Sequence, residues 1–523
     1  MKKFISVLLC VCMLFSVCIT GASATDNADK IAVSCQEDLK NLNRDVPVIF
    51  VNGLQGEFYK GLSTETEEDD VRIWGPNTDT ILTAVKENIF SLLWNLLIGN
   101  YKGVNATAKR AADTIFGDFV CDENGVPNPD TGRKDKSRYE LQAVNGYENA
   151  YGFVYDWRLD MLTIAAQLDE YVDYVMELTG SDKVAFVAMS MGNAVMTTYL
   201  YEYYYIADDY EERNHIDSVI FLAGAMNGVA TCEDPFSGNM SVDSTSILRM
   251  MSELMRGNED TEGIYRFVEI LYSLGMLDPI TNYVNKLNTK LVENGLNDAV
   301  ITNIALIPGF LALMNPERYE QARNYIFDTP EKQQKYAAII EKSDYYHNNV
   351  QKNNVAVINS LMENGIRTAV IAEYGCTIIP LTSDNNRMSD GTILTASESF
   401  GATCAEVDGT LGDGYVQAKS CECGKSHISA DNQIDASTCA FPDTTWFAKN
   451  LRHSEESKYV GELCDLIIYN DSQMTVWDYT EYPQYLINLD DSGLVPLTAE
   501  NAGEIVPYEE TTILGGFKKK ISF

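Results

Sequence analysis

The chain has 523 residues and a mass of 58.3 kDa, which is enough for about two to four average domains. Hydrophobic residues make up 45% and charged residues 22% of it, a globular composition that excludes collagen-like, disordered and multi-span membrane proteins. The 76 acidic and 39 basic residues give a formal net charge of −37. This excess of negative charge disfavours nucleic acid and anionic membrane surfaces as electrostatic partners.

The first 24 residues predict a secretory signal peptide. Lys2 and Lys3 precede an apolar run over residues 4–19, and the small residues at positions 22–24 predict cleavage after Ala24. The alternative, an uncleaved anchor, is disfavoured because the run is shorter than the ~20 residues that span a bilayer. We therefore expect a secreted protein with a net charge of −39 after loss of the two lysines, with association to the cell surface as an alternative.

The rest of the chain alternates short β-branched runs with longer helical periods, which predicts an α/β fold with a doubly wound parallel sheet. The predicted strands cover residues 46–51, 151–155, 184–187, 218–222 and 367–371, and the clearest predicted helices cover 162–178 and 193–205. Residues 25–229 are predicted to form the first part of this core, and residues 350–523 the second part.

Residues 230–349 are predicted to form a helical cap inserted into the core. Ile280, Val284, Leu287 and Leu291 fall on one helical face, and residues 304–314 are almost wholly apolar. These apolar residues fit either the small core of the cap or a lid that contacts lipid. The same two readings apply to residues 89–98, which are too short to span a membrane.

Cysteines give a second local feature. Nine remain after the signal peptide, and the four in the predicted hairpin of residues 401–440 lie close to a histidine: Cys404, Cys421, Cys423, Cys439 and His427. One residue between Cys421 and Cys423 is tighter than the usual zinc spacing. Export permits disulfides, so one or two disulfides are favoured over zinc, and no metal or other cofactor is predicted.

A serine between a predicted strand and a predicted helix is the candidate nucleophile. Ser190 has Ala188 two residues before it and Gly192 two residues after it, the spacing of a nucleophile elbow, although Ala stands where the first Gly is usual. Such a turn needs small flanking residues because strand and helix backbones approach closely. A serine hydroxyl is a poor nucleophile near neutral pH, so a base and an acid must accompany it.

In an α/β-hydrolase the acid and then the histidine follow the serine along the chain. His215 and His347 precede the last predicted core strand and are read as ordinary polar residues, which leaves His453, the favoured base, and His427. Asp390 lies in an Asp-Gly turn after the 367–371 strand. The residues alone leave five candidate acids open: Asp384, Asp390, Asp408, Asp413 and Asp435.

Six segments, spread over some 400 residues, resemble the lecithin:cholesterol acyltransferase-like branch of the α/β-hydrolase lipases, as a secreted member of bacterial type. They are residues 48–56, 155–159 with Tyr-Asp-Trp-Arg, the Ser190 elbow with Asn193, 221–225, 389–393 and 442–447 leading to His453. The resemblance implies Ser190 as nucleophile, Asp390 as acid and His453 as base. It also implies an oxyanion hole from the backbone N–H groups of Leu54 and Met191.

The sequence departs from the family pattern at Asn52, Ala188 and Met189, and Asn52 leaves Gln55 open as an alternative oxyanion donor to Leu54. Residues 156–158 are read as structural. The resulting hypothesis is a secreted serine acyl-ester hydrolase, a lipase, phospholipase or O-acyltransferase, with a lipid or other acyl ester as substrate. It would make transient contact with lipid interfaces and bind no nucleic acid. The alternatives are an esterase of small soluble substrates, a catalytically silent binding protein of the same fold, and a calcium-stabilised scaffold.

Overall fold

The computed structural model describes residues 42–43, 45–54, 56–62, 71–74, 78–133, 149–207, 214–255, 262–298, 302–383, 385–419, 425–453, 459–489 and 493–503. The predicted signal peptide lies outside these residues, as do Cys35, Gln55, Asp384, Cys421 and Cys423.

Fifteen strands are assigned within the described residues. They are β1 (Val48–Val51), β2 (Phe58–Lys60), β3 (Val71–Trp74), β4 (Thr131–Arg133), β5 (Ala150–Phe153), β6 (Val184–Met189), β7 (Ile216–Leu222), β8 (Arg367–Tyr374), β9 (Cys376–Thr377), β10 (Met388–Ser389), β11 (Thr403–Cys404), β12 (Ile434–Asp435), β13 (Thr445–Lys449), β14 (Tyr485–Asn488) and β15 (Leu494–Pro496).

Eight of these strands form one sheet in the order β15-β14-β13-β8-β7-β6-β1-β5, in which only β15 runs antiparallel to its neighbour. The strand order is non-sequential because helices cross over between parallel strands. This sheet confirms the predicted α/β-hydrolase fold class, and all five predicted strands lie in it. The other strands form a three-stranded sheet, β3-β2-β4, and the pairs β9-β10 and β11-β12.

The α-helices of the described residues are α1 (Thr78–Leu97), α2 (Tyr101–Phe116), α3 (Met161–Thr179), α4 (Gly192–Leu200), α5 (Ala230–Ser237), α6 (Ser244–Met255), α7 (Glu262–Ser273), α8 (Leu277–Val292), α9 (Thr302–Ala305), α10 (Pro308–Leu311), α11 (Tyr319–Ile326), α12 (Pro330–Lys335), α13 (Ala337–Tyr345), α14 (Asn354–Glu363), α15 (Thr395–Glu398) and α16 (Gly461–Tyr469). The predicted helix over 193–205 is α4 followed by a π-helical turn, Tyr201–Tyr205.

The large sheet is apolar on both faces because its strands are buried on both faces, as parallel sheets usually are. Alternate strand residues such as Phe186 and Ala188 face α3, α4 and α14 in one core cluster. Their neighbours Ala185 and Val187 face α16 in a second cluster. Helices therefore cover both faces, and the carboxyl ends of the central strands are left as the edge where loops carry polar residues.

Helices α5 to α13 lie between β7 and α14, where the sequence predicts a helical insertion. The apolar segment 304–314 packs inward, since Ala305, Leu311 and Met314 belong to a buried cluster with α11 and α13. In α8, Val284 and Leu287 are likewise buried. These residues thus form core rather than a lipid-facing surface. None of the helices in the described part of the chain is both long and apolar enough to cross a bilayer.

Candidate active site

Ser190 lies in the turn between β6 and α4, at the carboxyl edge of the sheet. Its φ of 53° is in the left-handed region, and its backbone N–H donates to the Leu222 carbonyl at 3.2 Å. Gly192 allows the turn to be this tight, because a Cβ there would stand 1.9 Å from the Val51 carbonyl oxygen. The turn holds the Ser190 hydroxyl above the edge of the sheet, partly accessible to solvent.

Two loops bring a histidine and an aspartate to this hydroxyl from 263 and 200 residues away along the chain. His453 follows β13, and its Nε2 lies 2.8 Å from Ser190 Oγ. Asp390 follows β10, and its Oδ2 lies 2.5 Å from His453 Nδ1. The backbone N–H of His453 also donates to the Asp390 carbonyl at 3.0 Å. The structure therefore brings together the three side chains that the sequence singled out.

Asp390 is fully buried, and its second oxygen is held by the backbone. Its Oδ1 accepts the N–H groups of Thr392 and Ile393 at 2.7 and 2.6 Å. Burial by itself would raise the pKa of Asp390, but the neighbouring His453 and the backbone donors lower it below the usual value. The carboxyl group is thus kept ionised and fixed in orientation, which is what an acid that orients an imidazole requires.

A second buried carboxyl group, Glu373, lies beside this pair. Among the described residues, one group of His, Cys, Asp and Glu side chains is close enough to share a metal ion, and it consists of Glu373, Asp390 and His453, with ligand atoms within 4.8 Å of one another. Both imidazole nitrogens and both Asp390 oxygens already contact other groups, so this cluster fits acid–base chemistry better than metal ligation. Glu373 was not among the predicted site residues, although a glutamate after the apolar run 369–372 of strand β8 was a signal.

The loop after β1 lies directly against the nucleophile. A Cβ on Gly53 would stand 2.6 Å from Ser190 Cβ and 3.0 Å from Ser190 Oγ. The loop is held from below by Tyr155, whose hydroxyl donates to the Asn52 carbonyl at 2.7 Å. Leu54 follows Gly53 in this loop, and Met191 follows Ser190 in the elbow. That the backbone N–H groups of Leu54 and Met191 form an oxyanion hole stays a prediction. Gln55, the alternative donor to Leu54, lies outside the described residues.

The Asp156-Trp157-Arg158 segment makes packing and pairing contacts below the site. Arg158 is fully buried, forms an ion pair with Asp156 at 2.7 Å and lies 4.7 Å above the ring of Phe58. The Trp157 carbonyl abuts α10, where a Cβ on Gly309 would come within 1.9 Å of it. This segment therefore joins the core to the helical insertion.

The remaining histidines have other partners. His215 Nε2 contacts the Tyr199 hydroxyl at 2.6 Å, and the buried His427 contacts Gln484 Oε1 through Nδ1 at 2.8 Å. His347 is buried between Gln351 Oε1 and the Leu311 carbonyl, and burial lowers its pKa to about 4. His427 thus contacts the residue just before β14 rather than Ser190.

The rival acids are also placed elsewhere. Asp408 pairs with Arg249 at 2.5 Å, and Asp413 is exposed. Asp435 accepts the Ala418 N–H and the Tyr415 hydroxyl inside the hairpin. Asp384 lies outside the described residues. Among the described candidates, Asp390 is the one that meets an imidazole next to Ser190.

The described cysteines are free thiols, namely Cys121, Cys232, Cys376, Cys404, Cys439 and Cys464. The predicted hairpin disulfides are therefore not formed by Cys404 or Cys439. Cys439 is buried in an apolar cluster against which Cys404 packs, and burial raises the pKa of the Cys404 thiol to about 12. Cys404, Cys439 and His427 do not form a metal-binding group, and the zinc alternative now rests on residues outside the described part of the chain.

The sequence model of the family described as "Lecithin:cholesterol acyltransferase" matches residues 137–259, a range that contains the Tyr-Asp-Trp-Arg segment and the Ser190 elbow. A comparison with curated proteins gives no match. A solved structure described as "The crystal structure of Tle4-Tli4 complex" is 12% identical, with a TM-score of 0.25, and the match covers 63% of this chain and 75% of that one. Over residues 137–259 the chain is thus similar to the lecithin:cholesterol acyltransferase family.

Proposed function

We propose that this chain is a serine acyl-ester hydrolase or O-acyltransferase that acts on lipid esters through an acyl-serine intermediate. The observation that carries the proposal is the continuous contact from Ser190 Oγ to His453 Nε2 at 2.8 Å and from His453 Nδ1 to Asp390 Oδ2 at 2.5 Å. A hydroxyl, an imidazole and a buried carboxylate in this order form the arrangement that activates serine as a nucleophile.

In the proposed reaction, Ser190 Oγ attacks the ester carbonyl carbon while His453 Nε2 takes the hydroxyl proton. The carbonyl oxygen becomes an oxyanion, which the backbone N–H groups of Leu54 and Met191 are proposed to stabilise. Asp390 holds Nδ1 protonated and stabilises the imidazolium. The intermediate collapses to acyl-Ser190, and the alcohol leaves with the proton from His453. Water or an acceptor alcohol then attacks the acyl group by the same steps in reverse.

The lipid part of the proposal is supported by two exposed apolar faces. In α7, Ile264, Phe267 and Ile270 recur every third residue, and each is at least half exposed. In α1, Phe90 and Trp94 are exposed one helical turn apart. Helix α1 packs on α2, α2 on α8, and α8 on α6 and α7, so both faces belong to one helical layer. Clustered exposed apolar residues are typical of sites that meet a lipid or a protein.

The primary test uses a fluorophosphonate probe and a panel of esters that runs from p-nitrophenyl butyrate to phospholipid vesicles. We expect wild-type protein to be labelled at one serine and to turn over esters, and Ser190→Ala to lose both. Ser472→Ala, at an exposed bend, is the control and should keep both. Full hydrolysis by Ser190→Ala refutes the mechanism.

The panel also separates the remaining functions. Turnover of butyrate without a gain on emulsions supports an esterase of small soluble substrates. Failure of both labelling and turnover supports a silent binding protein. Product analysis with an added acceptor alcohol distinguishes hydrolysis from acyl transfer.

We further propose that residues 1–24 direct export and are removed. The proposal rests on Lys2, Lys3, the apolar run and the small residues before Thr25. N-terminal sequencing of protein recovered from the medium is expected to begin at Thr25, and a chain that keeps Met1 contradicts it.

A further inference from the structure

One carboxylate of the helical insertion contacts residues near both Asp390 and His453. Glu253, near the end of α6, accepts the Thr377 backbone N–H at 2.9 Å and also the Thr377 hydroxyl. The same carboxylate forms an ion pair with the Arg452 guanidinium. Thr377 and Arg452 are 75 residues apart in the sequence, so Glu253 joins two separate segments of the core.

Each of these two partners is next to a residue of the proposed triad. Thr377 lies in β9 and pairs with Met388 in β10, the strand that leads directly into Asp390. Arg452 immediately precedes His453. On the acid side, then, Glu253 holds the strand pair that supports the Asp390 turn. On the base side, it holds Arg452, the residue that immediately precedes His453.

The guanidinium of Arg452 lies between the insertion and the acid turn. Its Nη1 would be 3.1 Å from a Cβ built on Gly391, the residue after Asp390, where φ is +101°. Its Nη2 is the atom that pairs with Glu253. A movement of Glu253 therefore acts on the His453 loop through Arg452 Nη2, and on the Asp390 turn through Thr377.

Two further side chains of α6 contact the segment that leads to Asp390. Arg249 Nη1 donates to Asn386 Oδ1 at 2.8 Å, and Ser246 Oγ donates to the Asn385 carbonyl at 3.3 Å. These contacts fix α6 relative to the acid loop, and within the described contacts Glu253 is the residue of α6 that also reaches the base loop.

From these contacts we infer that Glu253 is a positioning residue, which sets the separation between Asp390, His453 and Ser190 from the helical insertion. The inference rests on the proposed function for its kinetic consequence. The alignment of an imidazole with a serine hydroxyl tolerates little displacement, and a shift of about 1 Å lowers the rate on the order of 100-fold. Glu253 thus makes the proposed triad depend on the placement of α6.

The test compares Glu253→Gln with Glu262→Gln. Glutamine keeps the size of Glu253 and an acceptor for Thr377, but its amide group cannot pair with Arg452. Glu262 forms an exposed ion pair with Arg266 in α7 and is the matched control. With p-nitrophenyl butyrate we expect Glu253→Gln to lower kcat about 10- to 100-fold with little change in KM, whereas Glu262→Gln changes neither.

A double-mutant cycle tests whether the effect passes through Arg452. If Glu253 acts through the ion pair, Glu253→Gln and Arg452→Gln together should lower kcat little more than either alone. A purely structural role would lower the unfolding temperature and leave kcat unchanged below it, which overturns the inference. An increase in kcat overturns it as well, because it would make the contact inhibitory.

A spectroscopic measurement keeps the inference separate from the proposed function. The His453 Nδ1 proton bonded to Asp390 should give a downfield proton resonance, assigned by its loss in Asp390→Ala. We expect Glu253→Gln to shift or broaden it and Glu262→Gln to leave it unchanged, even if no ester is turned over. An unchanged resonance in Glu253→Gln overturns the inference. Absence of turnover with a perturbed resonance overturns only the proposed function.

Discussion

The sharpest test of the proposed mechanism is Asp390→Asn. The backbone N–H groups of Thr392 and Ile393 both donate to Oδ1, so an asparagine would place its carbonyl oxygen there. Its NH₂ group would then take the position of Oδ2 and face His453 Nδ1. Two donors cannot share a hydrogen bond, so Nδ1 would lose its proton to become an acceptor and Nε2 would carry the proton instead.

An imidazole protonated at Nε2 cannot accept the proton of Ser190 Oγ, 2.8 Å away. Loss of the reactive tautomer in a serine triad lowers kcat on the order of 10,000-fold, which is roughly 5 kcal/mol of transition-state stabilisation. The fixed Oδ1 prevents the amide from flipping to avoid this outcome, so we expect the full effect. The free energy of unfolding should change little, because the substitution keeps the shape of the side chain.

The assay is steady-state hydrolysis of p-nitrophenyl butyrate together with the rate of fluorophosphonate labelling at Ser190. The matched control is Asp413→Asn, an exposed aspartate of the hairpin that the sequence left open as the acid. Asp413→Asn should behave like the wild type in both measurements. If folded Asp390→Asn protein kept the wild-type kcat, Asp390 would not be the residue that keeps His453 protonated at Nδ1, and another of the candidate aspartates would have to be the acid.

Three further outcomes follow from the structure. Gly53→Ala should lower kcat/KM about 100-fold or more, since its methyl would stand 3.0 Å from Ser190 Oγ, whereas Gly263→Ala, with no atom within 4 Å, should keep wild-type turnover. Burial in the folded chain lowers the pKa of His347 from 6.5 to about 4, so between about pH 6.5 and pH 4 the unfolded chain binds more protons than the folded chain. Urea titrations from pH 7 to pH 4 should show a loss of roughly 3 kcal/mol of stability that His347→Gln lacks. Phe267→Ser should weaken binding to zwitterionic vesicles about tenfold or more, with butyrate turnover intact. The control Val416→Ser, which removes an exposed apolar side chain of the hairpin, should bind as the wild type does. A stable Gly53→Ala enzyme with normal turnover, an unchanged acid slope in His347→Gln, or unchanged vesicle binding in Phe267→Ser would each contradict the corresponding expectation.

The local features that organise the site could be predicted from the sequence, because they depend on neighbouring residues. A buried strand, a serine and Gly192 define the elbow, since the close approach of strand and helix restricts the side chains that fit. The strand before His453 was not recognised, and β13 (Thr445–Lys449) became evident only from its pairing with β8. Short strands in the middle of a sheet lack the alternation that marks half-buried ones.

The long-range contacts were beyond prediction from one sequence. Nothing in the residues around Glu253 indicates that it meets Thr377 and Arg452, because that contact depends on how α6 is placed over the core. The hairpin disulfides are likewise not borne out at Cys404 and Cys439, which are free, while Cys421 and Cys423 lie outside the described residues. Cysteine spacing and export favoured pairing, but spacing along the chain does not show that Cys439 is buried in an apolar cluster with Cys404 packed against it, each without a disulfide partner.

The left-handed backbone of Ser190 has a consequence for how this fold could change over time. A non-glycine residue in this region is less stable by roughly 1–2 kcal/mol than in the right-handed region, and glycine is free of that strain. The backbone at this position is therefore least strained with glycine, which has no hydroxyl to act as a nucleophile. Backbone stability favours glycine at position 190, whereas the proposed reaction requires serine. A lineage that no longer needed the reaction is therefore expected to lose this serine early, while the surrounding sheet persists.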